Sequence, residues 1–191
     1  GDVRKYLSAG RPAMYFGTRT RFKSVQAARA GAIATWAALR DGDRIAALRG
    51  CAREAPIPPA GGPRGALRVL DALVRWYAKP PQDDAGLGVA LDHAARVLRP
   101  GSRLLSLADP ASIAAIDPHR WPAFSLHHDT TVLLLVDPLE RNPPKAALPF
   151  ATAEHRVELD LATAAQRQRW RNEFVAPLDA ALQALPARGV R

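Results

Sequence analysis

The chain has 191 residues, 48% of them hydrophobic, and a formal net charge of +9, which is enough apolar material for the core of one domain. Its longest mainly apolar stretch without a charge, residues 30–39, falls far short of the roughly 20 residues that a membrane span needs. Cys51 is the only cysteine, which excludes an internal disulfide and a cysteine-built zinc site. No basic-then-apolar secretory start is present, so we expect a cytoplasmic protein.

The positive charge is concentrated at the amino-terminal end, where residues 1–29 contain seven basic residues and one acid. Four of the basic residues follow in close succession: Arg11, Arg19, Arg21 and Lys23. Such a patch would attract a polyanion. The sequence has no helix-turn-helix or RNA-binding signature, so nucleic-acid binding is the alternative hypothesis and not the leading one.

The first predicted helix covers residues 23–39. Its apolar positions recur at helical spacing and predict the buried face: Val25, Ala28, Ile33, Trp36 and Leu39. The next segment, residues 44–48, is short and mostly apolar, as a strand buried on both faces would be. Four prolines and two glycines between residues 56 and 63 then predict a loop.

Two more helices follow this loop. The second helix has its apolar positions at Leu67, Leu70, Leu73, Val74 and Tyr77. The third has them at Leu87, Leu91, Ala94 and Leu98, and it ends at Pro100-Gly101. All four tryptophans lie on or next to the predicted apolar stripes, which favours a place in the core: Trp36, Trp76, Trp121 and Trp170.

Residues 102–109 and 130–138 are apolar runs that predict two parallel central strands joined by a helical crossover. Each run contains an aspartate at its carboxyl end, Asp109 or Asp137, and we expect Glu140 to be solvated in the turn that follows. Residues 155–161 alternate as a half-exposed edge strand does. A final helix is predicted over 164–185, bent near a proline and striped by Trp170, Phe174, Leu178, Leu182 and Leu185.

This order of elements predicts a doubly wound α/β domain, with a mostly parallel central sheet and helices on both faces. In such domains the loops at the carboxyl ends of the strands bind ligands. The stretch SAGRPAMYFG, residues 8–17, lies between a possible short strand and the first helix. It is therefore a candidate site, although residues 1–9 make a poor central strand.

Three segments resemble the bacterial family of domains of unknown function numbered fifty-eight: RPAMYFGTRTRFKSVQAARAGAIATWAALRDGDRIAAL, GLGVALDHAARVLRPGSRLLSLAD and LLLVDPLERNPP. The most distinctive part runs from Met14 to Ser24. The resemblance covers about residues 11–191 and implies a single von Willebrand factor A-like, Rossmann-like domain over 1–191. Residues 1–10 resemble a remnant of the segment that precedes the first strand in the family.

The resemblance implies a protein-binding module rather than an enzyme, with a MoxR-type AAA+ ATPase as its partner in protein maturation or assembly. Von Willebrand factor A domains hold Mg²⁺ through a D-x-S-x-S loop and further loops, and a carboxylate of the partner completes the metal's ligands. The aligned positions are here Ala9, Arg11, Ala13 and Ala85, and only Asp109 keeps its acidic character. An alignment shifted by one residue puts Ser8 at the aspartate position. We therefore expect a degenerate site without metal or cofactor.

Arg11 provides a hypothesis for how the degenerate site works. A guanidinium has five donors and no acceptor, so it could join Asp109 to a carboxylate of the partner in place of the metal. Ser8, Tyr15 and Arg19 complete the predicted partner-binding residues. The alternative is that Arg11 is an exposed loop residue in a site that has lost its function.

No catalytic grouping is recognisable. The five histidines form no H-E-x-x-H motif, and Ser106 lacks the G-x-S-x-G surroundings of a nucleophile elbow. The glycines at residues 61–65 lack the G-K-[ST] of a P-loop. The sequence thus favours a metal-independent interaction domain without enzymatic activity, with polyanion binding as the alternative.

Overall fold

The computed structural model describes residues 3–7, 22–51, 54–78, 86–151 and 156–191. Its main sheet has five strands: β1 (Val3–Leu7), β2 (Ile45–Arg49), β3 (Ile57–Ala60), β4 (Arg103–Ala108) and β5 (Asp129–Leu134). Their order across the sheet is β3-β2-β1-β4-β5. β1 pairs in parallel with β2 and β4, β4 pairs in parallel with β5, and β3 runs antiparallel to β2.

Helices alternate with these strands along the chain, so the predicted mixed α/β class is confirmed. They are α1 (Lys23–Arg40), α2 (Gly62–Ala78), α3 (Gly86–Val97), α4 (Pro110–Ala114), α5 (Arg120–Ser125), α6 (Pro138–Arg141), α7 (Ala164–Trp170) and α8 (Ala176–Ala184). A separate antiparallel hairpin consists of β6 (Ala147–Ala151) and β7 (Arg156–Asp160). Within the described part of the chain, no helix has both the length and the apolar character of a membrane span.

The middle strand of the sheet is β1, contrary to the expectation that residues 1–9 make a poor central strand. Its Arg4 is in register with Ala46 on one side and Leu104 on the other. Because parallel partners on both sides satisfy the backbone N–H and C=O groups of the strand, a central position does not require a continuous apolar run.

The core consists of two apolar clusters on opposite faces of the sheet, since successive residues of a strand point to opposite sides. Ala47 and Leu107 pack with residues of α1 and α2. Leu48 and Leu104 pack with residues of α3, α4, α5 and α8. Helices therefore cover both faces, with α1 and α2 forming one layer.

α1 begins at the predicted residue, but the prediction of its buried face is wrong. Ile33 is 71% exposed and Trp36 is 53% exposed. The small or polar residues that face inward are Lys23, Ser24, Ala27, Gly31, Thr35 and Ala38. A Cβ atom on Gly31 would lie 2.9 Å from Cδ1 of Leu73 on α2, so the close approach of the two helices selects small side chains.

On α2 the prediction is right for Leu73, which is buried, and wrong for Leu67 and Val74, which are 58% and 56% exposed. Its buried hydrophobic residues are Ala66, Val69, Ala72, Leu73 and Trp76. On α3 the prediction is right for Leu87, Leu91 and Ala94, which are all buried. Trp76, Trp121 and Trp170 lie in the core as predicted.

Three further predictions need correction. Residues 56–63 contain β3, an edge strand, and an edge tolerates the prolines that a central strand would not. Of the two runs predicted as central strands, the second forms β5, which lies at an edge of the main sheet. The strand predicted over 155–161 is confirmed as β7, in the separate hairpin. The final helix is interrupted by a π-helical segment, Arg171–Val175, just before Pro177, and Leu182 on α8 is 56% exposed.

Candidate functional site

The candidate site lies at the edge of the sheet where the four parallel strands end. β1, β2, β4 and β5 point the same way, so the residues that follow their carboxyl ends come together at this edge. Asp109 follows β4 directly, and Asp137 follows β5 after two intervening residues. Both positions agree with the prediction that these aspartates stand at the carboxyl ends of strands.

Asp109 is buried, with 1% of its surface exposed, and it caps the amino terminus of α4. Its Oδ1 accepts a hydrogen bond from the backbone N–H of Ser112 at 3.1 Å, and its Oδ2 accepts one from the Ser112 hydroxyl. Both carboxylate oxygens therefore have a partner within the same turn. Its predicted contact with a partner protein stays a prediction.

Asp137 caps α6 in a similar way. Its Oδ1 accepts from the backbone N–H of Leu139 at 2.9 Å, and its own N–H donates to Oε2 of Glu140 at 2.9 Å. This reciprocal arrangement is a capping box. Both aspartates after the parallel strands therefore stabilise short helices.

Glu140 also forms a buried ion pair with the first residue of α1. Lys23 Nζ lies 2.5 Å from Glu140 Oε1, and each side chain is 5% exposed. The carbonyl oxygen of Glu140 accepts from Trp170 Nε1 at 2.9 Å. These contacts connect α1, α6 and α7 at one place beside the carboxyl edge.

Two expectations from the sequence are wrong here. Glu140 is 4% exposed and not solvated, and Lys23 is buried against it instead of belonging to an exposed basic patch. The D-P-L-E run at 137–140 matches the spacing of a capping box, so it could have indicated an inward Glu140. Nothing in the sequence around Lys23 identifies its partner, 117 residues away.

A cleft of about 360 Å³ lies between the start of α3 and the segment that follows α4, and Ser112, the partner of Asp109, is one of its lining residues. Its lining residues are Gly86, Leu87, Gly88, Ser112, Ala115, Ile116, Asp117 and Arg120. The start of α3 packs closely against Gly50, just after β2. A Cβ at residue 50 would lie 2.6 Å from the carbonyl oxygen of Gly86, so only glycine permits this approach. No sequence motif indicates this cleft.

Arg120 is the cationic residue of the cleft. Its Nη2 lies 2.5 Å from Asp92 Oδ1, and its Nη1 donates to the carbonyl oxygen of Gly88 at 3.5 Å. The side chain keeps 32% of its surface exposed. Asp117, the acid of the cleft, accepts from the backbone N–H of His119 at 2.9 Å.

The described residues do not fit a Mg²⁺ site at this edge. Mg²⁺ requires six oxygens in near-octahedral geometry, whereas the carboxylate of Asp109 is 1% exposed and is turned towards Ser112 in the same turn. Within the described ranges, no group of three or more histidine, cysteine, aspartate or glutamate side chains is arranged to hold a metal ion.

The remaining predicted partner-binding residues are Ser8, Arg11, Tyr15 and Arg19, and all four lie outside the described residues. In the sequence they stand between Leu7, the last residue of β1, and Lys23, the first residue of α1. The roles assigned to them stay predictions.

A family model described as "Protein of unknown function DUF58" matches residues 7–180. No curated protein matches the sequence significantly. Among solved structures, the chain is similar to an aerotolerance-related membrane protein from Bacteroides fragilis NCTC 9343 carrying multiple mutations to serine, with a TM-score of 0.55 and 14% identity over 90% of this chain and 87% of that one. An uncharacterized membrane spanning protein from Vibrio fischeri aligns with a TM-score of 0.35 and 12% identity over 97% of this chain and 98% of that one.

Proposed function

The chain belongs to the family of proteins of unknown function DUF58, and on that premise we propose that it is a protein-interaction domain of von Willebrand factor A-like architecture. Its carboxyl edge binds an acidic segment of a partner without a divalent ion. The parallel order β2-β1-β4-β5, with helices packed on both faces, supports the doubly wound interpretation of the sheet.

The observation that carries this proposal is the orientation of Asp109. Its carboxylate is turned inward onto Ser112 and is 1% exposed, so this acid is not available to a partner at the surface. The neighbouring cleft contains the Arg120 guanidinium, which pairs with Asp92 and keeps 32% of its side chain exposed, together with the acid Asp117. The exposed part of a guanidinium suits a carboxylate of a partner.

The volume of the cleft limits how much of a partner it can hold. A volume of about 360 Å³ lies at the lower end of the range for small-ligand pockets. One or two side chains of a partner's loop would fill it, while the rest of the partner would rest on the surrounding loops.

Arg11 acts in this proposal as a second cationic anchor at the carboxyl edge, where its guanidinium pairs with an aspartate or glutamate of the partner. The partner is a MoxR-type AAA+ ATPase that acts on a client protein during maturation or assembly in the cytoplasm. The domain itself carries out no enzymatic step and needs no cofactor.

Calorimetric titration of the chain with a purified MoxR-type ATPase tests this proposal. Loss of one charge-assisted hydrogen bond costs about 1.5–3 kcal/mol, so Arg11→Ala and Arg120→Ala should each weaken binding by roughly 10- to 100-fold. Arg169→Ala is the matched control, because Arg169 is an exposed arginine on α7, and it should change binding less than about twofold.

Unchanged binding of Arg11→Ala would show that Arg11 does not replace the metal, and unchanged binding of both variants would exclude the carboxyl edge as the interface. If the ATPase does not bind while nucleic acid does at physiological salt, with affinity falling steeply as salt is added, the polyanion alternative is correct. The burial of Lys23 against Glu140 removes one cation from that alternative.

A further inference from the structure

The outer surface of the α1–α2 layer carries large apolar side chains surrounded by arginines, and we propose that it docks on an anionic lipid surface. This surface, called the α1–α2 face below, consists of Ile33, Trp36, Leu67 and Val74 together with Arg29, Arg40, Arg64, Arg68 and Arg75. It is separate from the carboxyl edge, so the proposal goes beyond the protein-binding function.

The exposed residues of the two helices face the same way. The buried residues of α1 and α2 belong to one apolar cluster, which packs on a single face of the sheet through Ile45, Ala47 and Leu107. The opposite sides of both helices must then form the outer surface of that layer. Ile33 and Trp36 are three residues apart on α1, and Leu67 and Val74 are seven apart on α2, so each pair lies on one side of its helix.

These apolar side chains are too exposed to contribute much to the core. Their exposed fractions are 71% for Ile33, 53% for Trp36, 58% for Leu67 and 56% for Val74. A group of large apolar side chains on one surface of a soluble domain indicates an interaction site. The small residues on the inner side of α1 already complete its packing against α2.

The charges on this face select an anionic occupant. The two helices carry five exposed arginines and one exposed acid, Asp71. Arg75 pairs with Asp71 and Glu54, and Arg40 pairs with Asp41 just beyond α1. Arg29, Arg64 and Arg68 have no ion-pair partner among the described residues.

A lipid surface fits this distribution better than a single acidic peptide does. The cations are spread over two helices, around the apolar side chains rather than beside one groove, which matches a plane of anionic headgroups. Trp36 supplies an amphipathic ring suited to the interface between headgroups and acyl chains. Arginine stems can lie along that interface while their guanidinium groups reach the headgroups.

Fluorescence with lipid vesicles tests the proposal on the full chain. The probe is a vesicle of equal parts phosphatidylglycerol and phosphatidylcholine, compared with phosphatidylcholine alone. Of the four tryptophans, three are at most 5% exposed and only Trp36 lies on the surface. Emission should therefore shift to the blue with the anionic vesicles, and Trp36→Phe should remove the shift.

Cosedimentation with the same vesicles measures the contributions of individual side chains. A double variant, Ile33→Ser with Trp36→Ser, should weaken binding at least about tenfold. Arg29→Gln and Arg68→Gln should each weaken it by about fivefold. Leu182→Ser and Arg96→Gln are matched controls, since both side chains are exposed on α8 and α3, which pack on the other face of the sheet, and both should bind like the unaltered chain.

Three results would overturn the proposal. Equal binding to vesicles of phosphatidylcholine alone would exclude recognition of anionic headgroups. Equal losses in Arg96→Gln and Arg29→Gln would show attraction by net charge without a defined face. Protection of Trp36 from acrylamide by an acidic helical peptide, with no emission shift on anionic vesicles, would assign the face to a protein partner instead.

Discussion

α1 and α3 lie on opposite faces of the same sheet. The large apolar side chains of α3 face the core, whereas those of α1 named here face the solvent. On α3, Leu87 and Leu91 are 2% and 0% exposed. On α1, Ile33 and Trp36 point outward, and small residues face the sheet and α2. The same helical periodicity therefore describes a core stripe in one helix and an exposed surface in the other.

The difference teaches that spacing alone does not identify the buried side of a helix. α1 packs so closely on α2 that Gly31 meets the end of Leu73, and only small residues fit there. Large side chains are then left for the outer side, where they are available for binding. α3 has room for leucines because it packs on the sheet beside Leu48 and Leu104.

The largest loss of stability is expected at the start of α1, where the buried contact is an ion pair and not an apolar one. Lys23→Met leaves Glu140 buried without a counter-charge and should lower the free energy of unfolding by about 3–5 kcal/mol. Denaturation in urea measures the loss. Combining Lys23→Met with Glu140→Gln removes both charges and keeps an oxygen for the Asp137 N–H, so it should recover most of the stability. A double variant as unstable as Lys23→Met would contradict this explanation.

Truncation of one apolar side chain on each helix tests the comparison directly. Leu91→Ala should cost about 2–5 kcal/mol of stability because it leaves a cavity in the core. Ile33→Ala should change stability by less than about 0.5 kcal/mol because the side chain is already in water. Similar losses in the two variants, measured by thermal or urea denaturation, would mean that Ile33 contributes to packing after all.

Substitution of Gly31 tests why the small side chains of α1 face inward. Gly31→Leu should destabilise the protein by about 1–3 kcal/mol, because the added atoms must displace the buried side chain of Leu73. Ala32→Leu, next to it on α1, is the control and should be tolerated better because Ala32 is only half-buried. The contact with Leu73 would be unimportant if both variants melted at the same temperature.

The smallest effect on stability is expected at the exposed carboxyl-terminal end of α1, where Arg40 and Asp41 form a surface pair. A hydrogen bond from Arg40 lowers the pKa of Asp41, and the charge of Arg40 acts in the same direction. A lowered pKa in the folded state favours folding above the ordinary carboxyl pKa, and this contribution is lost as the pH falls through the lowered value. Arg40→Gln should let the pKa of Asp41 rise towards its ordinary value in a carbon-detected NMR titration, and an unchanged pKa would contradict the pairing.

The fold was more predictable from the sequence than the candidate site was. Continuous apolar runs identify β2 and β4, and a leucine stripe identifies α3, because burial on two faces or on one side leaves a pattern in the sequence. β1 leaves no such pattern, since its central place depends on backbone pairing with β2 and β4. The position of Asp109 after β4 was predicted, but its contact with Ser112 depends on the geometry of the turn.

Long-range contacts explain most of what the sequence could not reveal. Lys23 and Glu140 meet only because α1 and the residues after β5 come together at one edge of the fold. The cleft arises in the same way, from the start of α3 and a segment after β4. Neither the spacing of residues nor their composition predicts these long-range contacts.

The most direct test of the proposed function is the affinity of the chain for the MoxR-type ATPase, measured by calorimetry in excess EDTA and again in millimolar Mg²⁺, with the ATPase held in one nucleotide-free state. An interface built on guanidinium groups should give the same dissociation constant in both buffers. Loss of binding in EDTA and its recovery with Mg²⁺ would contradict the account, because a divalent ion would then join the two proteins.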